Sequence, residues 1–168
     1  LEGAERDAEL KKAEGLKQIE ISARAKGDLI MMGIGGFSPL TGFMTKADWK
    51  GVCDNFQMAD GTFWPVPITL DVSADDAAGI SEGDEIALVR NGVTFATMKI
   101  EEKYEMTDAD KKWECEKVFM GEGEESVDGK FWEIAPEDHP GVIMVMAQKD
   151  FNLAGPVKVL SEGEYPEE

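Results

Sequence analysis

The chain has 168 residues, of which 42% are hydrophobic, so its length and composition suit one globular domain. Its 17 basic and 35 acidic residues give a formal net charge of -18. This charge argues against binding to nucleic-acid backbones and to anionic membrane surfaces, because the chain has no excess of cations. We therefore expect an acidic cytoplasmic protein that binds neither nucleic acid nor membrane.

The termini and the cysteines carry no sign of export or of a metal site. We expect no membrane span, because no run approaches the ~18 apolar residues of a transmembrane helix. The chain starts at Leu1 rather than Met, so we interpret it as a fragment or a processed product. Cys53 and Cys115 are predicted to be buried free thiols, because their number and spacing suit neither a zinc motif nor a disulfide framework.

The first third of the chain predicts helices around a glycine-rich turn. Residues 4–16 are rich in Ala, Glu, Lys and Leu and predict a first helix. Ser22 is expected to cap a second helix over residues 23–32. Thr45 and Asp48 resemble a capping box for a third helix that packs through Trp49, Val52, Cys53 and Phe56.

Between the second and third helices lies the run Gly35-Gly36-Phe37-Ser38-Pro39-Leu40-Thr41-Gly42-Phe43-Met44. It contains no Asp, Glu, Lys, Arg, His or Cys. Its glycines and its proline constrain the backbone, and its aromatic and aliphatic side chains supply apolar bulk. We interpret this run as a corner of the fold that carries no chemistry of its own.

The middle of the chain predicts strands. Apolar and polar residues alternate over 68–72, and the Asn91-Gly92 pair between the apolar runs 86–90 and 93–100 predicts a hairpin. Residues 107–115 predict another helix, which starts at a Thr107–Asp110 capping pattern. Short helices among short strands favour an α+β, β-dominated, barrel-like domain, and no Rossmann-type βαβ alternation is present.

The last third of the chain is predicted to be partly irregular. The acidic residues 121–138 are interpreted as a surface excursion. Residues 142–147 are predicted to form a buried strand and residues 157–160 a final strand, followed by a polar tail over 161–168.

Four kinds of residue are candidates for a chemical site. Gly33-Ile34-Gly35-Gly36 matches neither phosphate-binding glycine motif and is interpreted as a helix end. His139, the single histidine, lies in a turn composition and is expected to bond backbone. The adjacent acidic pairs are expected to lie on solvated faces: Asp75-Asp76, Glu101-Glu102 and Glu124-Glu125. The tryptophans are expected to pack in the core or at an interface: Trp49, Trp64, Trp113 and Trp132. We therefore predict no catalytic, cofactor-binding or metal-ligating residue in this chain.

Several motifs along the chain resemble the N-terminal domain of ATP sulfurylase, also called sulfate adenylyltransferase. In order they are Met31-Met32-Gly33, Gly36-Phe37-Ser38-Pro39-Leu40 with Gly42-Phe43-Met44, Ala59-Asp60-Gly61-Thr62, Pro65-Val66-Pro67, Glu82-Gly83-Asp84, Ala96-Thr97-Met98, Asp138-His139-Pro140-Gly141-Val142 and Leu153-Ala154-Gly155-Pro156-Val157. The resemblance implies a PUA-like pseudobarrel with short flanking helices over residues 1–160. Residues 121–138 resemble an acidic insertion, and residues 161–168 resemble the start of a linker to a catalytic domain.

The resemblance also implies membership of a nucleotidyltransferase that joins ATP and sulfate into adenylyl sulfate and pyrophosphate, in sulfate assimilation or dissimilatory sulfur metabolism. ATP with magnesium is the expected substrate of the full enzyme. The family's Gln-x-Arg-Asn-Pro-x-His-x-x-His motif belongs to its catalytic domain and has no match here, so no catalytic residue is transferred and the chain alone is expected to be inactive. The implied partners are the catalytic domain of the same polypeptide and further copies in a homo-oligomer.

Two alternatives stay open from the sequence. PUA-like folds elsewhere bind RNA, so a free-standing binding module is one alternative, although the charge of -18 argues against it. A scaffold protein without catalysis is the other.

Overall fold

A computed structural model of the chain describes residues 1–120 and 139–160. Within these residues the helices are α1 (Gly3–Ala13), α2 (Ala23–Gly33), α3 (Lys46–Asn55), α4 (Ala74–Ala78), α5 (Asp108–Cys115) and α6 (Pro140–Met146). The strands are β1 (Lys17–Glu20), β2 (Gly42–Phe43), β3 (Leu70–Val72), β4 (Glu85–Arg90), β5 (Val93–Lys99), β6 (Glu102–Glu105) and β7 (Phe151–Val159). A π-helical turn, Glu116–Met120, follows α5.

Strand β7 organises a mixed sheet of seven strands. Its residues 151–154 pair antiparallel with β3 and β6, and its residues 155–159 pair antiparallel with β2 and β5. The neighbours change at Gly155, whose φ is 143° and where a Cβ atom would lie 2.1 Å from the carbonyl oxygen of Lys99. Glycine is required there by both conformation and space. The sheet therefore curls, and the predicted α+β pseudobarrel with short flanking helices is confirmed.

The β4–β5 hairpin is the strand prediction that the structure confirms most directly. Asn91 and Gly92 have φ values of 50° and 78°, as a two-residue type I′ turn requires. Strand β1 runs parallel to β4 beyond this hairpin. The sequence did not predict β1 or β6, because Ile19 and Tyr104 are their single buried residues and sheet pairing makes these polar segments strands.

Three helix starts follow the predicted caps. The Ser22 side chain accepts a hydrogen bond from the N–H of Ala25, and Thr107 with Asp110 forms a complete capping box. At α3 only half of the predicted box forms: the Thr45 hydroxyl oxygen accepts from the N–H of Asp48. The Asp48 carboxylate instead accepts from the Thr45 hydroxyl at 2.8 Å and from the backbone N–H of Ala59 at 2.9 Å.

The predicted contribution of Phe56 to the packed face of α3 is wrong. Phe56 follows the helix with a φ of 56°, and 47% of its surface is exposed. Its left-handed backbone terminates the helix and turns the side chain away from the face formed by Trp49, Val52 and Cys53.

The predicted buried strand over residues 142–147 is also wrong, because α6 occupies this segment. Pro140 suits the first helical turn, and the Nδ1 atom of His139 accepts a hydrogen bond from the N–H of Gly141 at 3.0 Å. Ile143 and Met144 are exposed rather than buried. The last strand begins at Phe151, six residues before its predicted start. The interpretations of residues 121–138 and 161–168 concern segments that lie outside the described residues.

The core lies between the curled sheet and α2. Its largest fully buried side chains include Leu29 of α2, the strand residues Leu70, Leu88 and Leu153, and Met44, which directly follows β2. In the described part of the chain, no helix has the length and apolar content needed to cross a membrane.

Candidate functional site

The glycine-rich corner, residues 35–44, has a structural role. A Cβ atom on Gly42 would lie 1.9 Å from the carbonyl oxygen of Gly155, so β2 and β7 can pair only if residue 42 is glycine. Phe43 and Met44 are buried in the core, and Phe37 packs edge-on against Trp64 with ring centroids 5.6 Å apart. A groove of about 370 Å³ lies beside this corner.

The backbone of the corner is not free to bind phosphate. The N–H groups of Gly35 and Gly36 donate to the carbonyls of Met32 at 3.1 Å and Met31 at 2.8 Å. The N–H of Ser38 donates to the carbonyl of Gly35 at 3.1 Å. A phosphate-binding loop needs unpaired N–H groups that converge on the ligand. The interpretation of residues 33–36 as a helix end is therefore confirmed.

His139 bonds backbone, as expected. Besides capping α6, its ring packs against Phe119 with centroids 5.2 Å apart. Its Nδ1 lone pair is used by the N–H of Gly141, so this nitrogen cannot also act as a base toward a ligand. The neighbouring Asp138 lies outside the described residues.

The predicted packing of the tryptophans is confirmed for the three that the structure describes. Trp49 is buried and contacts Trp113 at a centroid distance of 5.2 Å, and Trp64 contacts Phe37. The prediction for Trp132 lies outside the described residues.

The cysteines also agree with the sequence. Cys53 and Cys115 are both buried free thiols. Burial raises the pKa of each thiol, and the Glu114 carboxylate raises both further. Neither therefore has the electropositive, accessible surroundings of a reactive cysteine.

The expected solvated face is found for one member of each described carboxylate pair, Asp75 and Glu101, which are exposed, whereas the other member makes a structural hydrogen bond. Asp76 accepts from the Ser73 hydroxyl at 2.7 Å, and Glu102 accepts from the N–H of Lys46 at 2.9 Å. Glu124-Glu125 lies outside the described residues. Among the residues described, no three His, Cys, Asp or Glu side chains are placed to hold a metal ion.

The strongest candidate site is a cavity of about 260 Å³, called here the Arg24 cavity. It lies where α2, α5, the π-helical turn and α6 meet the segment that leads into β3. Three ionisable side chains line it, namely Arg24, Asp28 and Glu114. The remaining lining residues are apolar: Val66, Pro67, Ile68, Phe119, Gly141, Met144 and Val145.

Glu114 is the most unusual residue of this cavity, because it is a carboxylate with 4% of its surface exposed. Its Oε2 atom accepts a hydrogen bond from the indole Nε1 of Trp49 at 2.6 Å. Burial raises the pKa of the Glu114 carboxyl, and the Trp49 hydrogen bond and the charge of Arg24 offset part of that rise. Burial likewise raises the pKa of Asp28, against the smaller opposing effect of Arg24.

Arg24 is held by groups outside the two acids. Its Nη2 atom donates to the carbonyl and the hydroxyl of Thr69, both at 3.3 Å. With the Gln148 amide oriented so that its Oε1 faces Arg24, Nη1 donates to it at 2.8 Å. The Nε atom lies 4.0 Å from the Asp28 carboxylate, one helical turn away. The cavity thus contains a fixed cation and two acids that this cation does not fully compensate.

Sequence reasoning did not identify Asp28 or Glu114. The signal for Glu114 was periodicity: the buried residues of α5 are Lys111, Glu114 and Cys115, which have the spacing of a core-facing helical stripe. Two of these three are charged. A charged residue at a core-facing position indicates a buried polar contact, and Lys111 indeed donates to the carbonyl of Gln148 at 2.7 Å and to Asp150 at 2.8 Å.

A family model described as PUA-like domain matches residues 1–162. The chain is 71% identical over 167 residues to the sulfate adenylyltransferase of Desulfovibrio desulfuricans, covering 99% of this chain and 39% of that protein. It is 71% identical to that of Desulfatibacillum aliphaticivorans and 50% identical to that of Entamoeba histolytica, covering 40% and 36% of those proteins. The resemblance to sulfate adenylyltransferase is confirmed, and the chain spans about two fifths of these relatives' length.

Among solved structures, a chain of the hexameric APS kinase from Thiobacillus denitrificans is similar. The TM-score is 0.67 at 23% identity, over 99% of this chain and 26% of that one. At this identity the likeness concerns the fold.

Proposed function

This chain belongs to the PUA-like domain family, and from that premise we propose that it is the N-terminal, non-catalytic domain of a sulfate adenylyltransferase. The observation that supports this proposal most is the 71% identity to two such enzymes over the whole chain but only 39% and 40% of their length. The activity named for the relatives would then be completed by a catalytic domain in the same polypeptide.

In this proposal the reaction takes place outside the chain. The full enzyme transfers the adenylyl group of magnesium-bound ATP to sulfate and releases pyrophosphate, in the cytoplasm. Two features that could have formed a site have structural roles instead: His139 caps α6, and the N–H groups of Gly35, Gly36 and Ser38 are paired within the chain. The domain's role is to support and orient the catalytic domain and to take part in a homo-oligomer.

A domain exchange tests the proposal. The matching segment of the Desulfovibrio desulfuricans enzyme is replaced by this chain, and sulfate-dependent exchange of pyrophosphate into ATP is measured. We expect the chimaera to retain activity within about tenfold of the parent enzyme, a loss of at most about 1.4 kcal/mol in transition-state stabilisation. The isolated chain is expected to show no exchange above a buffer control.

Two outcomes contradict the proposal. Exchange by the isolated chain would place the chemistry inside it. A chimaera that folds, as shown by its circular dichroism and cooperative melting, but has no activity would show that the chain does not serve the catalytic domain. Light scattering on the chimaera, compared with the parent, tests the homo-oligomer.

A further inference from the structure

One oxygen of the Glu114 carboxylate lacks a partner at the Arg24 cavity. Trp49 donates to Oε2, and among the described residues no hydrogen bond reaches Oε1. Glu114 is nevertheless 4% exposed and lines the cavity wall. Oε1 is not fully enclosed, because the enclosed side-chain atoms without a partner in the described part of the chain are those of Asn152. It is therefore open to the cavity, where an approaching cation can bind it.

Arg24 does not supply that cation. The ion pair found for it joins Asp28 at 4.0 Å, and its Nη atoms are bound by Thr69 and Gln148. Within the described chain, no lysine or arginine nitrogen lies within the 4 Å of an ion pair from Glu114. One cation faces two acids, so the cavity is electrostatically complementary to one further positive group.

The surroundings of the cavity suit a side chain of another protein segment. Val66 and Met144 line it and are 41% and 49% exposed, and Ile143 beside them is also exposed. A desolvated polar pocket with an apolar margin is the arrangement in which arginine anchors occur at interfaces. The volume of about 260 Å³ is roughly twenty times what one water molecule needs.

We propose that the Arg24 cavity receives an arginine or lysine side chain from the part of the enzyme that lies outside this chain, where Glu114 and Asp28 bind it. This inference rests on the proposed function, because the relatives devote about 60% of their length to other segments. The charge of -18 favours a cationic contact on the other side.

The first test compares Glu114→Gln in the isolated chain and in the chimaera. In the isolated chain the amide oxygen still accepts from Trp49 and a buried charge disappears, so we expect the unfolding midpoint to rise by about 2 °C. In the chimaera the incoming cation loses its partner, and we expect the midpoint of this domain to fall by about 4 °C or more. Hydrogen-exchange mass spectrometry during a temperature ramp, read on peptides from α5, isolates this domain's transition.

Glu116→Gln is the matched control, because it removes the same charge two residues further along at an exposed position. Its effect should be equal in both proteins. Asp28→Asn is the second variant and should also destabilise the chimaera more than the isolated chain. Equal shifts of Glu114→Gln in the two proteins would overturn the inference, while the exchange activity of the unsubstituted chimaera judges the proposed function separately.

The second test uses the isolated chain and a small probe. Butylguanidinium is titrated against butylurea, which has a similar shape and no charge, and amide chemical shifts are followed by NMR. We expect saturable shifts around Ile68 and Gly141, with butylguanidinium binding at least about tenfold more tightly than butylurea and losing that preference in Glu114→Gln. Absent binding, equal binding of both probes, or shifts spread over the whole acidic surface would refute the proposal.

Discussion

The corner at residues 35–44 and the Arg24 cavity are determined by different kinds of interaction. The corner contains no ionisable side chain, and its shape is determined by backbone contacts such as that of Gly42 with Gly155. The cavity contains three ionisable side chains brought together from α2 and α5, which are far apart in sequence. Backbone constraints produce a contiguous motif in the amino-acid sequence. A buried cluster of charged residues from distant helices produces no such motif.

This difference explains why the sequence indicates its relatives but not its candidate site. A residue that only glycine can occupy marks the sequence locally. Glu114 is one acid among 35 and becomes distinctive only when its burial is known. Three substitutions and one pH titration test this contrast, in order of decreasing expected effect.

Gly42→Ala should break the corner. Its Cβ would meet the backbone of Gly155, which cannot rotate away as a side chain can, so β2 must separate from β7. We expect a loss of about 3 kcal/mol in the free energy of unfolding, measured with urea. Gly27→Ala is the matched control, because its Cβ meets nothing within 4 Å in α2 and should stabilise by about 0.5–1 kcal/mol. Equal effects of the two substitutions would show that Gly42 is not required by contact.

Trp49→Phe, at the Arg24 cavity, should lower the free energy of unfolding somewhat less than Gly42→Ala does. It removes the indole N–H that donates to Glu114 and leaves a buried carboxylate without that partner, for a loss of about 2 kcal/mol. Combining it with Glu114→Gln should recover part of this loss, because a neutral amide is less costly to leave unpaired. A double-mutant cycle in urea measures the coupling. Strict additivity would mean that the hydrogen bond contributes nothing beyond ring packing.

His139→Ala, near the Arg24 cavity, should lower the free energy of unfolding less than Trp49→Phe does. It removes the cap of α6, and we expect a loss of about 1 kcal/mol, with His139→Asn retaining most of the stability. In the chimaera, pyrophosphate exchange should be unchanged at a temperature where both proteins are folded. A large loss of exchange with intact folding would give this histidine a role in catalysis.

The smallest expected effect concerns Glu9 and Glu114, whose pKa values are shifted in opposite directions. Glu9 is bound by Lys158, which lines the groove beside the corner, at 3.1 Å. Burial acts to raise the pKa of Glu9, but hydrogen bonds from Thr97, Lys158 and Lys12 leave it lowered overall. Burial leaves the pKa of Glu114 raised.

These opposite shifts predict opposite pH dependences. The ionised Glu9 stabilises the fold above its usual pKa of 4.5, and this contribution is lost as the pH falls through the lowered pKa. Glu114 binds its proton more tightly in the folded state, so its ionisation destabilises the fold above the raised pKa and not below 4.5. At pH 7, Glu9→Gln should therefore lower stability and Glu114→Gln raise it, and both differences should shrink toward pH 4. Urea unfolding between pH 4 and 7 checks this; differences of the same sign would contradict it.

Local chemistry accounts for what the sequence predicted well. The hairpin at Asn91-Gly92 and the caps at Ser22 and Thr107 depend on residues next to one another, and all three form. The failures depend on distant partners. The apolar run over 142–147 has no distinct period, and Pro140 with the His139 cap makes it helical. Strands β1 and β6 exist because β4 and β7 pair with them.

Strand β7 has a consequence for the order in which the domain can form during synthesis. Its residues 151–159 are the sheet partners recorded for β2, β3 and β6, all of which leave the ribosome earlier. A nascent chain that ends before Phe151 therefore exposes three strands whose backbone groups lack their native sheet partner. The sheet of this domain can therefore be completed only after β7 has been synthesised, when all of its other strands have already been made.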